Sequence, residues 1–266
     1  MRFSAVQTAD RLFSTSLFAR VLPFATKLDA AIHGDTDSAK AIRNSLTAFV
    51  IRVASAAIAF LSQVILARLM GAFEYGIFVL IWVAMVIIGN LSCLGFQTAI
   101  IRFLPQYMDH GDTARIRGIV HSGRLFVLLS SSIAALLTFA LVKLGSDYLQ
   151  SYYIFPMIIG VIALPMLALG DMLDGTARAN GWTIRALGPT YILRPVFTLI
   201  VMLAAWQLGY PINGVTGVVC AIIATYTTTL IQYIVIRRNL DKRFGTGAKT
   251  IELRTWMIVA LPIFPR

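Results

Sequence analysis

The segment DMLDGTARANGW, residues 171–182, has the residue types and spacing of a metal-dependent site. Asp171 and Asp174 stand three residues apart beside apolar sequence, an arrangement found in membrane enzymes that transfer phosphate-linked alcohols. Such enzymes need four carboxylates, because two divalent metal ions must bridge a pyrophosphate and activate the attacking hydroxyl. No acidic residue follows Asp174 until Asp241, so a metal pair would lack half of its ligands. We therefore interpret the segment as a connection between two membrane spans, with the aspartates at a polar helix end.

Other reactive side chains form no catalytic pattern either. The stretch FGTGAKT at 244–250 is similar to a phosphate-binding loop, but Ala248 stands where that motif needs a glycine. Cys93 and Cys220 lie in apolar segments without a histidine or second cysteine at ligand spacing, which indicates buried thiols. The sequence thus predicts no catalytic residue, no metal ligand and no cofactor, and we do not expect an enzyme.

Composition indicates an integral membrane protein, because 58% of the residues are hydrophobic, 13% are charged and the mean hydropathy is +0.78. The net charge of +11 would suggest a nucleic-acid partner in a soluble domain. Here the lysines and arginines stand between apolar segments, where they set membrane orientation. We therefore expect contact with membrane lipid and none with nucleic acid.

Six apolar stretches are long enough to span a bilayer, which takes roughly 20 residues in a helix. They cover about residues 46–67, 76–94, 125–144, 153–169, 190–206 and 215–236. A seventh apolar stretch starts at Trp256, and the chain ends at Arg266 before it could cross. The sequence therefore predicts an all-α polytopic helix bundle with six spanning helices and a truncated seventh.

The distribution of basic residues predicts the orientation of the bundle. Outside the spans, only Arg68 and Lys143 lie in connections on one side, while the other lysines and arginines before residue 255 lie in connections on the opposite, basic side. Positive charge marks the cytoplasmic face, so we expect the N-terminus there. The predicted parts are a cytoplasmic arm at 1–44, a six-helix lobe at 45–254 and the truncated helix at 255–266. The arm is either an amphipathic helix on the inner leaflet or a disordered leader.

Three polar side chains within the spans are candidates for a functional site, because polar groups in hydrocarbon are costly. Arg52 and Arg194 lie one to two turns into the first and fifth spans from the basic side, and Asn90 reaches a similar depth in the second. Guanidinium groups bind phosphate oxygens in pairs, so such a patch suits an anionic ligand. The alternative is that both arginines extend to the membrane surface.

The stretch VILARLMGAFEYGIFVLIWVAMVIIGNLSCLGFQTAIIRFLPQY, residues 64–107, resembles the first two spans of polysaccharide (O-antigen type) flippases of the multidrug/oligosaccharidyl-lipid/polysaccharide exporter superfamily. The turn between the fourth and fifth spans resembles the same flippases. The residues that carry the resemblance include Arg68, Gly71, Tyr75, Gly76, Gly95, Arg102, Pro105, Arg178 and Gly181.

This resemblance covers about residues 41–266 and implies the N-terminal lobe of a two-lobed transporter in a bacterial inner membrane. The substrate it implies is an undecaprenyl-pyrophosphate-linked oligosaccharide, which is exported for surface polysaccharide. Other membrane proteins of polysaccharide assembly are the partners it implies. A chain without the second lobe is expected to be partial or an inactive remnant. A drug/cation antiporter of the same superfamily is a further alternative, disfavoured because no predicted span contains an acidic residue. A membrane phosphotransferase using Asp171 and Asp174 is the remaining alternative.

Overall fold

The computed structural model describes residues 37–260 together with Leu22 and Thr26. The chain divides into two units, Met1–Val53 and Ala54–Arg266. Apart from Leu22, Thr26 and residues 37–44, the predicted amphipathic arm at 1–44 lies outside the described residues. The second unit contains nearly all of the elements described below.

In the described part of the chain every regular element is helical, which confirms the all-α prediction. The α-helices are α1 (Asp37–Met70), α2 (Ala72–Ser92), α3 (Phe96–Asp109), α4 (Thr113–Leu144), α5 (Ser151–Gly160), α6 (Leu164–Ala179), α7 (Thr183–Gly188), α8 (Arg194–Gln207), α9 (Gly214–Phe244) and α10 (Leu253–Ala260). One-turn 3-10 helices at Ser146–Tyr148 and Val161–Ala163 and a π-helical turn at Pro189–Leu193 connect some of them.

Among the described residues, six helical stretches are long and apolar enough to cross a membrane. They are Ala48–Met70, Ala72–Ser92, Thr113–Leu144, Ser151–Ala179, Thr183–Gln207 and Gly214–Phe244. Each contains or overlaps one of the six predicted spans, so the predicted bundle is confirmed. Large apolar side chains such as Leu136 and Leu141 remain exposed on the surface, as expected for groups that face lipid.

Two of these spans are not regular α-helices, and proline explains both interruptions. The 3-10 turn at Val161–Ala163 stands just before Pro165, and the π-helical turn at Pro189–Leu193 just before Pro195. A proline has no backbone N–H to donate to the preceding turn, so the ladder of hydrogen bonds changes register there. The fourth span is therefore α5 plus α6, and the fifth is α7 plus α8.

Helix α6 lies at the centre of the second unit and packs against α2, α3, α4, α7 and α9. Its buried residues run from Leu164 to Ala177 and include Asp174. The segment DMLDGTARA that the sequence assigned to a connection is thus the last half of this central helix. The prediction was wrong for these nine residues, because packing on five neighbours continues the helix beyond the apolar run. The turn comprises only Asn180, Gly181 and Trp182.

Two further elements lie outside the predicted spans. Helix α3 buries Phe96, Ile100 and Leu104 on one face and exposes the opposite one, so it is amphipathic. Helix α10 packs against α3. This helix contains Trp256, the residue at which the sequence predicted the start of a seventh helix. Residues 261–266 lie outside the described part.

Candidate functional site

A carboxylate is buried in the middle of the bundle. Asp174 in α6 is 2% exposed, and both of its oxygens accept hydrogen bonds. Gln232 Nε2 in α9 donates to Oδ1 at 2.7 Å, and Thr190 Oγ1 in the π-helical turn donates to Oδ2 at 3.2 Å. Arg178, one turn along α6, lies 4.0 Å from Oδ2. Three spans thus meet at this one side chain.

Arg194 is the second charged group of this region. It opens α8, and its guanidinium lies close enough to Asp171 and Asp174 to interact electrostatically with both. Its Nη2 packs over Gly170 of α6, where a β-carbon would lie 3.4 Å away. Its Nε is buried and has no hydrogen-bond partner among the described residues. We call Asp171, Asp174, Arg178, Arg194, Thr190 and Gln232 the central polar cluster.

A small cavity of about 70 Å³ lies on another side of Arg194. Its lining includes Gln63 of α1, Trp82 of α2 and Thr198 of α8. Since one water molecule occupies about 30 Å³ in the liquid, this cavity can hold about two. Arg194 therefore borders a space that water molecules or the oxygens of an anion can fill.

Of the three predicted site residues Arg52, Arg194 and Asn90, these contacts involve only Arg194. Arg52 is an exposed residue of α1 and belongs to the first unit. Asn90 is exposed near the end of α2. Arg194 belongs to the central polar cluster, where Asp171 and Asp174 are near enough to interact with it electrostatically. A shared anion patch of the three residues stays a prediction.

The motif residues at the start of α2 have structural roles that the contacts explain. Gly71 precedes the helix with a φ of 75°, a conformation that costs other residues energy. Glu74 Oε2 accepts a 2.6 Å hydrogen bond from the Gly214 amide at the start of α9. Tyr75 donates to Gln63 of α1 at 2.8 Å. Gly76 is exposed, and Arg68 is exposed in the last turn of α1.

The second group of motif residues forms α3 and its start. Gly95 has a φ of 74°, and a β-carbon there would collide with the carbonyl of Ala260 in α10. Arg102 is exposed, with its guanidinium 6.0 Å from the centre of the Phe103 ring. Pro105 lies inside the helix. These residues therefore shape α3 and its contact with α10.

The third group stands at the end of α6. Gly181 makes the turn with a φ of 72°, and Arg178 Nη2 lies 4.0 Å from Asp174 Oδ2. Next to them, Asn180 Oδ1 accepts a 3.0 Å hydrogen bond from Arg243 Nη1 near the end of α9. Together these contacts fix the end of the fourth span to the sixth.

The chemistry open to the central polar cluster follows from its composition. Asp171, Asp174, Arg178 and Arg194 carry two negative and two positive formal charges, and a buried charge such as that of Asp174 is stable only when it is paired or hydrogen-bonded. Protonation or cation binding at a carboxylate would disturb that balance and release an arginine. The cluster is thus suited to coupling a cation to an anion inside the bundle.

Sequence reasoning missed the two aspartates and Gln232 as members of one site. Asp171 and Asp174 follow an apolar run directly, and Gln232 stands in a mostly apolar helix 58 residues beyond Asp174. The sequence did contain one signal for this site: all three residues lie toward the basic side of their spans. Cys93 and Cys220 are free and buried, which confirms the prediction for them.

Comparison with known proteins gives one match. Residues 41–264 match the model of a family described as polysaccharide biosynthesis protein. The match includes all six spans, the central polar cluster and α10. No curated protein and no solved structure matches the chain.

Proposed function

Because the chain belongs to the polysaccharide biosynthesis protein family and its described part has six helices able to cross a membrane, we propose that it is a flippase. Its substrate would be an undecaprenyl-pyrophosphate-linked oligosaccharide, exported across a bacterial inner membrane for surface polysaccharide. In this proposal the protein is a transporter and not an enzyme, and it works with other membrane proteins of polysaccharide assembly.

Arg194 is the observation that carries the proposal. Arg194 stands in a spanning helix and lines the small cavity, and its Nε has no hydrogen-bond partner among the described residues. A guanidinium in this position is a suitable contact for a pyrophosphate oxygen. Arg52 and Asn90 are proposed to contact the same head group. The internal carboxylates would hold Arg194 in place between transport events.

The test is complementation of a deletion strain, with surface polysaccharide as the measurement. Replacing Arg52 and Arg194 together with alanine should abolish the polysaccharide, and Arg194→Lys alone should reduce it, because an ammonium cannot bind two oxygens in parallel. Arg238→Ala is the matched control, since Arg238 is an exposed cation of α9 that belongs neither to the central polar cluster nor to the lining of the small cavity. Equal polysaccharide from the double variant and the control, at equal protein level, would refute the substrate site. Failure of the wild-type gene to complement would refute the flippase function.

A second candidate is a cation-coupled drug antiporter, which the acidic pair favours. The sequence argument against it was the absence of acidic residues from the predicted spans. Asp171 and Asp174 nevertheless belong to the helical stretch Ser151–Ala179, which is long and apolar enough to cross a membrane. The discriminating measurement is efflux of a cationic dye driven by a pH gradient in vesicles. Dye efflux lost in Asp171→Asn and Asp174→Asn, without a polysaccharide defect in the deletion strain, would favour the antiporter.

The phosphotransferase alternative requires both aspartates as metal ligands. Both oxygens of Asp174 already accept hydrogen bonds from Gln232 and Thr190, which favours a fixed position in the bundle over metal ligation. Transfer activity abolished by EDTA in the purified protein would support this alternative instead.

A further inference from the structure

A second, larger cavity lies between the start of α4 and the end of α9. Its volume is about 470 Å³, and the segment 244–249 forms one of its walls. None of its lining residues lines the small cavity beside Arg194. This cavity is therefore separate from the small cavity, and the proposed flippase function assigns no role to it.

Arg117 of α4 holds the wall in place. Its Nε donates to the carbonyl of Ala248 and its Nη1 to the carbonyl of Phe244, both at 2.9 Å. The amide of Thr250 donates to the carbonyl of Ala114 at 3.1 Å. A β-carbon at Gly118 would collide with the Thr250 carbonyl, so a glycine is needed for this close approach. The cavity is thus built by specific contacts of an otherwise irregular segment.

Arg124 is the most unusual side chain in this cavity. Its guanidinium lies 4.9 Å from the centre of the Tyr233 ring in α9. Its Nε and Nη2 are buried and have no hydrogen-bond partner among the described residues. A buried, charged donor without an acceptor is costly, and a ligand or water that supplies the acceptor is one way to offset this cost.

The charges around Arg124 determine what kind of ligand fits. Arg117, Arg237 and Lys249 also line the cavity, while Asp241 is the acidic residue of the lining. Asp241 lies 3.8 Å from Arg237, which leaves an excess of positive charge. Guanidinium groups match the oxygens of phosphate in geometry. The volume is in the range of sites that hold a small molecule, larger than one phosphate needs.

We infer that this cavity is a binding site for a phosphate-bearing anion, with Arg124 as its principal contact. The anion could be a soluble diphosphate or the head group of an anionic phospholipid, since basic pockets between membrane helices bind such head groups. Both sources present the same phosphate oxygens to Arg124, Arg117 and Lys249. The site stands apart from the proposed export pathway through Arg194.

The soluble arm of the test is calorimetric titration of the purified full chain in detergent with inorganic pyrophosphate. Arg124→Gln should weaken binding at least tenfold, while Arg238→Gln, the same change on an exposed cation of α9, should change it less than twofold. Arg194→Gln should retain the binding, which separates this cavity from the flippase proposal. If Arg124→Gln does not fold, Arg237→Gln with Lys249→Gln removes two exposed cations of the lining and should also weaken binding about tenfold.

The lipid arm uses native mass spectrometry of the protein released from nanodiscs of phosphatidylglycerol or of phosphatidylcholine. Retention of phosphatidylglycerol that Arg124→Gln abolishes identifies a head-group site. Saturable pyrophosphate binding without lipid retention identifies a soluble ligand. Either result supports the inference. Wild-type protein that binds neither, or Arg124→Gln protein that binds as the wild type does, overturns it.

Discussion

Gln232 in α9 donates a 2.7 Å hydrogen bond from Nε2 to Oδ1 of Asp174 in α6, and the two residues are 58 positions apart in the chain. The same Nε2 also lies 3.2 Å from the carbonyl of Arg185. One amide group therefore joins the sixth span to the fourth and to the start of the fifth. Both side chains are almost fully buried, so neither has water as an alternative partner.

Gln232→Leu is expected to destabilise the protein by about 2–3 kcal/mol, because it leaves a buried carboxylate short of a donor. For a chain of this size, that corresponds to a fall in Tm of roughly 4–12 °C in detergent. Asp174→Asn should cost less, since an amide oxygen can still accept from Gln232. A larger loss from Asp174→Asn than from Gln232→Leu would contradict this account. Gln106→Leu, on an exposed position of α3, is the control.

Glu74→Ala is expected to loosen the start of α9. The lost 2.6 Å hydrogen bond to the Gly214 amide should cost about 1–2 kcal/mol, because a carboxylate at a helix N-terminus also interacts with the helix dipole. Hydrogen exchange at the Gly214 amide should accelerate, and Glu74→Gln should have a smaller effect. Unchanged exchange at Gly214 would show that Glu74 does not cap this helix. Asp147→Ala, on an exposed residue outside this contact, is the control.

A comparison of Gly95→Ala with Gly111→Ala should distinguish the energetic cost of backbone strain from that of a steric collision. Both glycines have a positive φ, 74° and 69°, but a β-carbon meets nothing within 4 Å at Gly111 and the Ala260 carbonyl at Gly95. We expect about 1–2 kcal/mol for Gly111→Ala and roughly 2–5 kcal/mol for Gly95→Ala, measured by thermal unfolding. Equal losses would mean that α10 does not pack on Gly95.

Trp256→Ala should show how firmly α10 is attached. Trp256 is fully buried, its ring edge meets Phe96, and its Nε1 donates to the Tyr107 hydroxyl at 3.0 Å. We expect a loss of about 3–5 kcal/mol in unfolding free energy, compared with about 1 kcal/mol for Tyr107→Phe. Trp206→Ala, on a side chain that is 56% exposed, should cost much less and serves as the control. A small effect of Trp256→Ala would place α10 outside the cooperative unit.

Hydropathy was sufficient to predict the six spans, because a run of about 20 mostly apolar residues is typical of a helix that crosses a bilayer. It failed at the end of α6, where Asp171 and Asp174 lowered the local hydropathy. The burial of Asp174 depends on Thr190 and Gln232, which belong to other spans, and a single sequence does not show which distant residues meet. Because the predicted fourth span ended before Asp171 and Asp174, the predicted spans contained no acidic residue, and the antiporter alternative was disfavoured for that reason.

Helix α3 was predictable in principle. Phe96, Ile100, Leu104 and Tyr107 recur at intervals of three and four, with Arg102 and Gln106 between them. The segment was too short and too polar for a span, and it was therefore treated as a connection. Arg194 was found from its depth in a span, whereas its carboxylate partners came only from the packing of α6 against its neighbours.

Helices α4 and α9 are 32 and 31 residues in length, which makes each about 47 Å long at 1.5 Å per residue. The hydrocarbon layer of a bilayer is about 30 Å thick, so an upright helix of this length extends roughly 17 Å beyond it. The charged ends, with Arg115 and Arg117 on α4 and Arg237 and Lys242 on α9, are the ends that head groups and water stabilise. With that excess at the charged ends, the cavity around Arg124 would open into the head-group region, and an anion would enter it without crossing any hydrocarbon.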